Sequence, residues 1–554
     1  MRDVRTQGGG RFSADVVVAG GGPVGLALAV ELGTRGVSCL IVEPRTDVSR
    51  RAPRAKTVSI RTMEHLRRWG LAQRLRDAAP LPRDWPAEAV YCTSVTGHEL
   101  RRFTNIFGMR RVAEAAEASL QIPQPLVEEV LRDVIADLPS VRLVTGYRVS
   151  GVRQDHESVH ASITSQESDP GGAGHVEGRY LVACDGGASV VRRGLAIGTT
   201  GEVFPRSHCN VVFRSRALMA RAAATHGRAT HYWVVHPEGN AVVGPVDGDE
   251  VFFANLQGVA ADASDEEIMA VLRRVAGEPV DIEIMSTDPW RPRVSVAESF
   301  QAGRVFLAGD AAHANPPWGG HGFNTGVGDA VNLGWKLAAV LQGWSAESVL
   351  GSYDHERRTA AMQTIADAAE NMRALDDSLV SQDILGQGDS ARAARSALRA
   401  EIAEVKESEF YSRGLVLGYH YAESPLVIGD GTRPPAPHPI HYTPTTVPGV
   451  RLPHAWLEGD RVAVYDRLGP RYSIVVVGDV PDPSHSAAAG RGAGLGELPI
   501  VRVAMGSAPG YDRPQILLVR PDQHIAWRGE READDFPAIL HRVTGGLNSA
   551  LTSA

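Results

Sequence analysis

The sequence predicts an α/β fold, a doubly wound parallel-sheet domain interrupted by an inserted antiparallel sheet. Three observations carry this. A buried-strand run, Val16 to Ala19, passes through a glycine-rich turn into a helix of small and apolar residues, Pro23 to Gly33, and then a second strand, Ser38 to Val42. That order is a β-α-β unit, the usual start of a parallel sheet. Apolar and polar residues then alternate in 209–216, 230–236, 241–246 and 251–257, as in antiparallel strands that cover something on one face. The buried-strand pattern returns at Arg304 to Leu307, followed by a helix over 324–342, so the first domain resumes after the insertion.

The remaining elements follow in order. Residues 1–14 are basic and Gly-rich and read as a disordered leader without the apolar stretch of a signal peptide. Residues 60–77 and 125–138 have the spacing of amphipathic helices. Short β-rich runs fill 140–183, around a polar loop at Ser165 to Gly174. Residues 354–413 are helical by composition, and 429–450 form a long irregular connection rich in Pro and Thr. Short strands at 472–477, 499–504 and 515–519 precede a helix near 535–543. The doubly wound domain is thus expected over 15–87, 121–192 and 294–400, and the sheet domain over 88–120 and 193–293. A helical linker over 401–434 leads to a C-terminal domain over 435–554.

Composition excludes several functions. The 554 residues carry 57 Lys and Arg and a net charge of −8, which argues against nucleic-acid binding. The first apolar run is too short to span a bilayer. The four cysteines, Cys39, Cys92, Cys184 and Cys209, form no C-x-x-C pair, so no metal site is expected. Isolated thiols fit a reducing cytoplasm, the expected location.

Gly20-Gly21-Gly22-Pro23-Val24-Gly25 fits G-x-G-x-x-G between a strand and a helix. Gly20 permits the turn, Gly22 lets a pyrophosphate approach the backbone, and Gly25 lets the helix pack against the strand. The helix N-terminus supplies N–H groups for the phosphates, next to Pro23 and Val24. Glu43 ends the second strand, where an acid accepts hydrogen bonds from ribose hydroxyls; Arg45 beside it joins the candidate set. The motif marks a dinucleotide but does not separate FAD from NAD.

Two further segments make that separation. Gly303-Arg304-Val305-Phe306-Leu307-Ala308-Gly309-Asp310-Ala311-Ala312-His313 and Asp185-Gly186-Gly187-Ala188-Ser189-Val190-Val191-Arg192 resemble the second and third motifs of the class A flavoprotein monooxygenases, the p-hydroxybenzoate and phenol hydroxylase group. The resemblance implies FAD, with Gly309 and Asp310 at the ribityl chain and Asp185 supporting the flavin and nicotinamide regions. Arg54, before Arg61-Thr62-Met63-Glu64, is similar to an arginine that reaches the FAD phosphates, and Gln124 to a flavin-contacting glutamine. The loop Pro316 to Gly326 would lie against the flavin, through Pro317, Gly320, Gly322, Phe323 and Asn324. A helix starting near Asn324 would aim its positive end at the pyrimidine carbonyl and favour the reduced, negatively charged ring.

The implied reaction is hydroxylation of a phenolic or polycyclic, polyketide-type ring. NAD(P)H reduces FAD and leaves, dioxygen adds at flavin C4a, and the resulting hydroperoxide passes its terminal oxygen to the ring. A second G-x-G-x-x-G is missing, so transient docking of NAD(P)H is expected. Trp318, His321 and His231 are the substrate-pocket candidates. Trp318 either packs or narrows the pocket, and His321 either faces solvent or touches substrate. His231 shares a strand face with Trp233, opposite Tyr232. Some phenol hydroxylases place an aspartate before the R-T-x-E segment; here no acid occurs from Ala52 to Thr62, and Lys56 stands in that stretch. The C-terminal part resembles the thioredoxin-like extension of phenol hydroxylases, without C-x-x-C, which leaves a packing or homo-oligomer role. Baeyer–Villiger oxidation or epoxidation on the same fold is the alternative, with a non-catalytic flavin sensor as the third reading. Halogenation is disfavoured, because no W-x-W-x-I-P motif is present.

Overall fold

A computed structural model describes residues 11–49, 56–166, 173–373, 380–459 and 461–546. In chain order, β1 (Arg11–Ala19), α1 (Pro23–Gly33) and β2 (Cys39–Glu43) form the opening β-α-β unit. Residues 11–14, expected in a disordered leader, are instead the first half of β1, paired with β10 from Arg11↔His175 onward; residues 1–10 lie outside the described residues. The short β3 (Thr57–Val58) leads to α2 (Ile60–Arg68) and α3 (Ala72–Ala78). The single helix expected over 60–77 is broken at Gly70, whose φ of +76° ends the first piece. Next come β4 (Glu88–Cys92), β5 (Glu99–Thr104), β6 (Leu120–Gln121), α4 (Gln124–Ala136), β7 (Val141–Thr145), β8 (Tyr147–Gln154), β9 (Val159–Ser165) and β10 (Ala173–Ala183).

After α5 (Val190–Gly194) and β11 (Thr199–Val203), the sheet insertion contains β12 (His208–Arg214), α6 (Arg216–His226), β13 (His231–Val234), β14 (Ala241–Pro245), β15 (Val251–Gln257), α7 (Asp265–Ala276) and β16 (Glu283–Trp290). The two helices were not expected from the alternation. The strand read as 209–216 stops at Arg214, where Ser215 caps α6 by accepting from Leu218 N–H. α7 opens with a Ser264/Glu267 capping box, a signal present in the sequence. The chain returns through β17 (Arg293–Ala297), β18 (Gln301–Ala302), β19 (Val305–Leu307) and β20 (His313–Ala314) to α8 (His321–Leu341) and α9 (Ser352–Arg373). Shorter helices α10 (Gly388–Val405), α11 (Glu407–Phe410) and α12 (Arg413–Gly418) follow.

The main sheet runs β18-β19-β10-β1-β2-β7, with β9 and β8 added beyond β10. β19, β10, β1, β2 and β7 are parallel, and Val16–Ala19 are buried on both faces by α1 and its neighbours. A seven-stranded sheet, β16-β12-β15-β14-β13-β4-β5, stands apart from it. Its outer face packs on α6 and α7 through Tyr232, Val243 and Phe252; its inner face carries Tyr91, Trp233 and Phe103. The C-terminal unit is β21 (Ser473–Val477), α13 (Ser484–Gly492), β22 (Ile500–Val503), β23 (Gln515–Val519), β24 (Ile525–Gly529) and α14 (Phe536–Val543). Its order β22-β21-β23-β24, with only the first pair parallel, is that of a thioredoxin-like sheet. No helix among the described residues is long and apolar enough to cross a membrane.

Candidate active site

Three parallel strands end side by side. Ala19 pairs with Ala183, and Ala183 with Leu307. The turns that follow, at Gly20, Asp185 and Gly309, therefore leave the sheet together at its carboxyl edge, where open α/β sheets form their crevice. Gly20 has φ +105°, and a Cβ there would lie 2.4 Å from Cys184 O, so only glycine fits. A Cβ on Gly309 would lie 2.9 Å from Val24 Cγ2, and one on Gly326 2.5 Å from the same methyl. The first and second motifs, almost 300 residues apart in sequence, thus close on a single side chain.

The groups at this edge suit a dinucleotide. Gly22 caps α1 ahead of Pro23, and among the described residues other than its chain neighbours no atom lies within 4 Å of the position its Cβ would take. An open helix N-terminus of this kind takes phosphate. Gly25 packs inward, its would-be Cβ 2.1 Å from Gly20 O. Glu43 accepts from Gly21 N–H at 2.7 Å and from Arg45 Nε at 2.6 Å. Its Oε2 keeps a lone pair for a hydroxyl. Arg45 also reaches Glu128 at 3.2 Å. Gln124, expected at the flavin, donates its amide to Glu128 at 2.6 Å, an i,i+4 bond along α4 that ties it to the protein. Asp310 is exposed, with no hydrogen bond to its carboxylate among the described residues. Asp185 caps α5 through Oδ2, accepting from Val190 N–H at 2.8 Å, while its buried Oδ1 has no partner among the described residues. Arg192 donates to Ala311 O at 2.9 Å and joins that segment to the Gly309 turn. Arg54 lies outside the described residues.

Behind the turn is a group the sequence reading missed. Asp329, fully buried on α8, accepts from Gly309 N–H at 3.0 Å, His313 Nε2 at 2.7 Å and Arg357 Nε at 2.8 Å. Burial works to raise its carboxyl, but the His313 and Arg357 charges prevail and hold it below its ordinary range. Asp329, Asn332 and Lys336 are spaced to share one face of an otherwise apolar helix, a signal that could have found them.

The glycine loop lies across a cavity of about 400 Å³ lined by Thr57, Phe107, Gly319, His321 and Asn324, among others. α8 starts at His321, three residues earlier than expected, with Gly320 as its cap. Its unspent backbone donors are therefore those of the first turn, including Gly322 and Phe323, whereas Asn324 stands where the helical ladder begins to close. The Asn324 side chain pins the loop to β3, accepting from Ser59 N–H at 2.8 Å and donating to Thr57 O at 3.0 Å. Pro317 is exposed at the head of the loop. Trp318 is buried, edge-on to His208 at 5.7 Å, and packs the loop against the seven-stranded sheet. His321 is buried as well, which rules out the solvent-facing reading. Its Nε2 lies 3.7 Å from Asp367 Oδ2, and burial pushes its imidazolium down to about 4.

His231 and Trp233 share the inner sheet face, as the alternation required, with ring centroids 6.4 Å apart. Around them Tyr91 stacks on Trp233 at 5.5 Å, and Phe107 and Phe253 stand edge-on to His231. Phe410 closes the group from α11. Tyr91, Phe107 and Phe410 carry no local sequence signal of this role.

Known proteins match this chain along most of its length. A family model described as FAD binding domain matches residues 13–368, and one described as aromatic-ring hydroxylase, C-terminal, matches 445–546. Tetracenomycin A2 monooxygenase-dioxygenase of Streptomyces glaucescens is 30% identical over 97% of this chain and 96% of its own length. Phenol 2-monooxygenase of a Pseudomonas strain is 29% identical over 96% and 92%. Among solved structures, the rebeccamycin biosynthetic enzyme RebC with reduced flavin matches with a TM-score of 0.86 and 31% identity, covering 97% of this chain and 100% of that one. Aklavinone-11 hydroxylase with FAD and aklavinone matches with a TM-score of 0.79 and 27% identity, over 96% and 99%. With its three strand-end turns meeting at one crevice and both family models matched, the chain belongs to the FAD-dependent aromatic-ring hydroxylases.

Proposed function

We propose that this enzyme hydroxylates a phenolic ring within a fused polycyclic, polyketide-type substrate, using NAD(P)H and dioxygen. The carrying observation is the cavity lined by both the glycine loop and Phe107, with the aromatic inner face of the seven-stranded sheet packed behind Phe107. Phe107 offers a flat ring area and quadrupole at that wall, backed by His231 and Phe410. The relatives named for tetracenomycin and aklavinone support a polycyclic substrate over a single ring.

FAD, when bound and reduced, supplies the activation of dioxygen and the oxygen transfer. The protein's part is holding and shielding. Gly22 and the α1 N-terminus with Pro23 would hold the pyrophosphate, Glu43 steadied by Arg45 the adenosine ribose, and Asp310 the ribityl chain. Asp185 Oδ1, which has no donor among the described residues, would take a hydroxyl or amide of the same region. The first-turn N–H groups of α8 at Gly322 and Phe323 would favour negative charge on the reduced pyrimidine edge. Trp318 and the aromatic wall would orient the substrate and exclude water. NAD(P)H would dock transiently over the same crevice.

The test is oxidation of NADH and NADPH under air by FAD-loaded enzyme, with a panel of tetracyclic phenols and simple phenols, using isotopically labelled dioxygen. The expected result is substrate-stimulated oxidation and a product carrying one labelled oxygen on a ring carbon. A labelled lactone or epoxide would select the Baeyer–Villiger or epoxidase alternative, and no labelled product across the panel would sink the hydroxylase reading.

A further inference from the structure

Lys56 directly precedes Thr57, which lines the cavity, and its own side chain is buried behind that wall. Nζ donates to Pro245 O at 2.6 Å and stands 3.8 Å from the Phe253 ring centroid. With its amide oxygen turned toward Lys56, Gln121 accepts from Nζ at 3.2 Å, and its nitrogen donates to Lys56 O at 3.3 Å. That oxygen-bearing end of the amide is 3.5 Å from His231 Nε2. Among the described residues no carboxylate lies within ion-pair distance of Nζ. His231 is the titratable group that faces it; Gln121, Pro245 and Phe253 on the other packed elements carry no charge.

Phe107 is the wall between this cluster and the cavity: it lines the cavity and covers His231 at 5.7 Å. Its φ of 56° and ψ of 11° are left-handed, a backbone state a bulky residue holds only under constraint. Strain of that kind gathers where ligands dock. A buried ammonium without a counter-ion is expensive in free energy, so a lysine here is either uncharged or paired with an anion brought by the ligand. Burial drives the Lys56 ammonium well below its ordinary range, and burial together with Lys56 does the same to His231.

We propose that Lys56 takes the proton from a ring hydroxyl of the substrate and that the enzyme thereby selects aromatic substrates with an acidic hydroxyl. This rests on the hydroxylase reading above. In the step, the phenolic O–H bond breaks and its electron pair stays on oxygen. The proton joins the lone pair of Lys56 Nζ, and ammonium and phenolate remain as an ion pair. Nothing is oxidised or reduced. The carbonyl oxygens of Gln121 and Pro245 accept the ammonium's other N–H groups, and the substrate ring takes the place of Phe107 against His231. The phenolate then feeds electron density to its ortho and para carbons, the positions an electrophilic oxygen attacks.

The test uses FAD-loaded enzyme and 2-hydroxyanthraquinone, whose absorption moves to longer wavelength when its hydroxyl ionises. Difference spectra against dye-free holoenzyme are recorded at a pH below the dye's own pKa. Wild type should show the ionised band, and Lys56→Met should bind the dye at least tenfold more weakly and only in its neutral form, with FAD content and melting temperature retained. Lys56→Gln serves if the first variant fails to load FAD. Lys56→Arg should hold the ionised dye but lose affinity as pH falls below the dye's pKa, because a guanidinium cannot take up the proton. The proposal is overturned if wild type binds the dye neutral or not at all, or if both neutral-side-chain variants ionise it as wild type does. An unchanged ionised band in Lys56→Met with turnover intact sinks the Lys56 assignment alone. Absence of labelled product in the phenol panel sinks the hydroxylase reading, whatever the dye reports.

Discussion

Replacing Gly22 with alanine separates folding from cofactor binding. Gly22 has φ −73°, which any residue adopts, and among the described residues other than its chain neighbours no atom lies within 4 Å of the would-be Cβ. Its fold cost is therefore the difference between glycine and alanine at a helix N-cap, on the order of 1 kcal/mol or less. The methyl group instead occupies space needed by a pyrophosphate at the α1 N-terminus. Losing two charge-assisted hydrogen bonds there, at about 1.5 kcal/mol each by the lower bound, weakens FAD binding by about 3 kcal/mol, or roughly 100-fold. Gly25→Ala is the opposite case. Its Cβ would fall 2.1 Å from Gly20 O, so helix and turn must separate, which costs about 1–3 kcal/mol of fold stability. Melting of flavin-free protein, with a fluorescence titration of FAD, measures both effects. The expected pattern is normal melting with weak binding for Gly22→Ala, and depressed melting for Gly25→Ala. Gly22→Ala protein that binds FAD within threefold of wild type would refute the placement of the pyrophosphate.

Three other predictions follow from buried charge. Asp329→Asn leaves Arg357 and His313 facing an uncharged group, a loss of about 3–5 kcal/mol; for a chain of 554 residues the melting temperature should fall by roughly 3–4 °C, with weaker FAD retention because the Gly309 turn loses its charged acceptor. A shift under about 1 °C would contradict this. Glu409, beside Lys406 at 3.5 Å, is pushed up to about 7 by burial. The folded state then binds the extra proton, so stability should decline as pH rises from about 4.5 to about 7, by about 1.4 kcal/mol per unit at most. Glu409→Gln should flatten this slope, and melting curves at pH 5 and pH 7 show whether it does. Arg520→Met removes the cation shared by Glu356 and Asp522; it should lower melting by a similar amount to Asp329→Asn and release FAD at the same temperature, and a separate later FAD loss would argue against coupling.

What the sequence showed and hid follows from the range of each interaction. The β-α-β start was legible because its glycines, helix and acid lie within about 25 residues and each has a local requirement. The inner and outer faces of the insertion were legible because strand alternation is local too: His231 and Trp233 fell on one face and Tyr232 on the other. Asp329 and Arg357 were not, since the meaning of either depends on the other across 28 positions. His321 looked free to face solvent because its cover comes from Asp367 on α9. Gln124 has a local partner in Glu128, four residues on along the same helix. For Lys56 the missing acid was visible, but Pro245, its acceptor, is 189 residues away.

The C-terminal unit has no thiols for redox exchange, yet the structure gives it a physical task. Arg520, before β24, donates to both oxygens of Glu356 on α9 at 2.7 and 2.8 Å and to Asp522 at 2.6 Å. Asp522 also accepts from Asn332 and Trp335 on α8, at 3.2 and 3.1 Å, and Lys336 on the same helix completes the group by donating to Glu356 at 2.8 Å. A surface-tethered domain would show exposed, screened pairs, which contribute little. These groups are all buried, and breaking such a network by removing one member leaves an uncompensated charge. α8 is therefore fixed at two places: its N-terminal turn faces the cavity through His321 and Asn324, and its middle is locked to the C-terminal unit. A loop that must hold a flat ring within tenths of an ångström gains from a helix that cannot slide, and that requirement is reason enough for a thiol-free thioredoxin-like unit to be built into this enzyme.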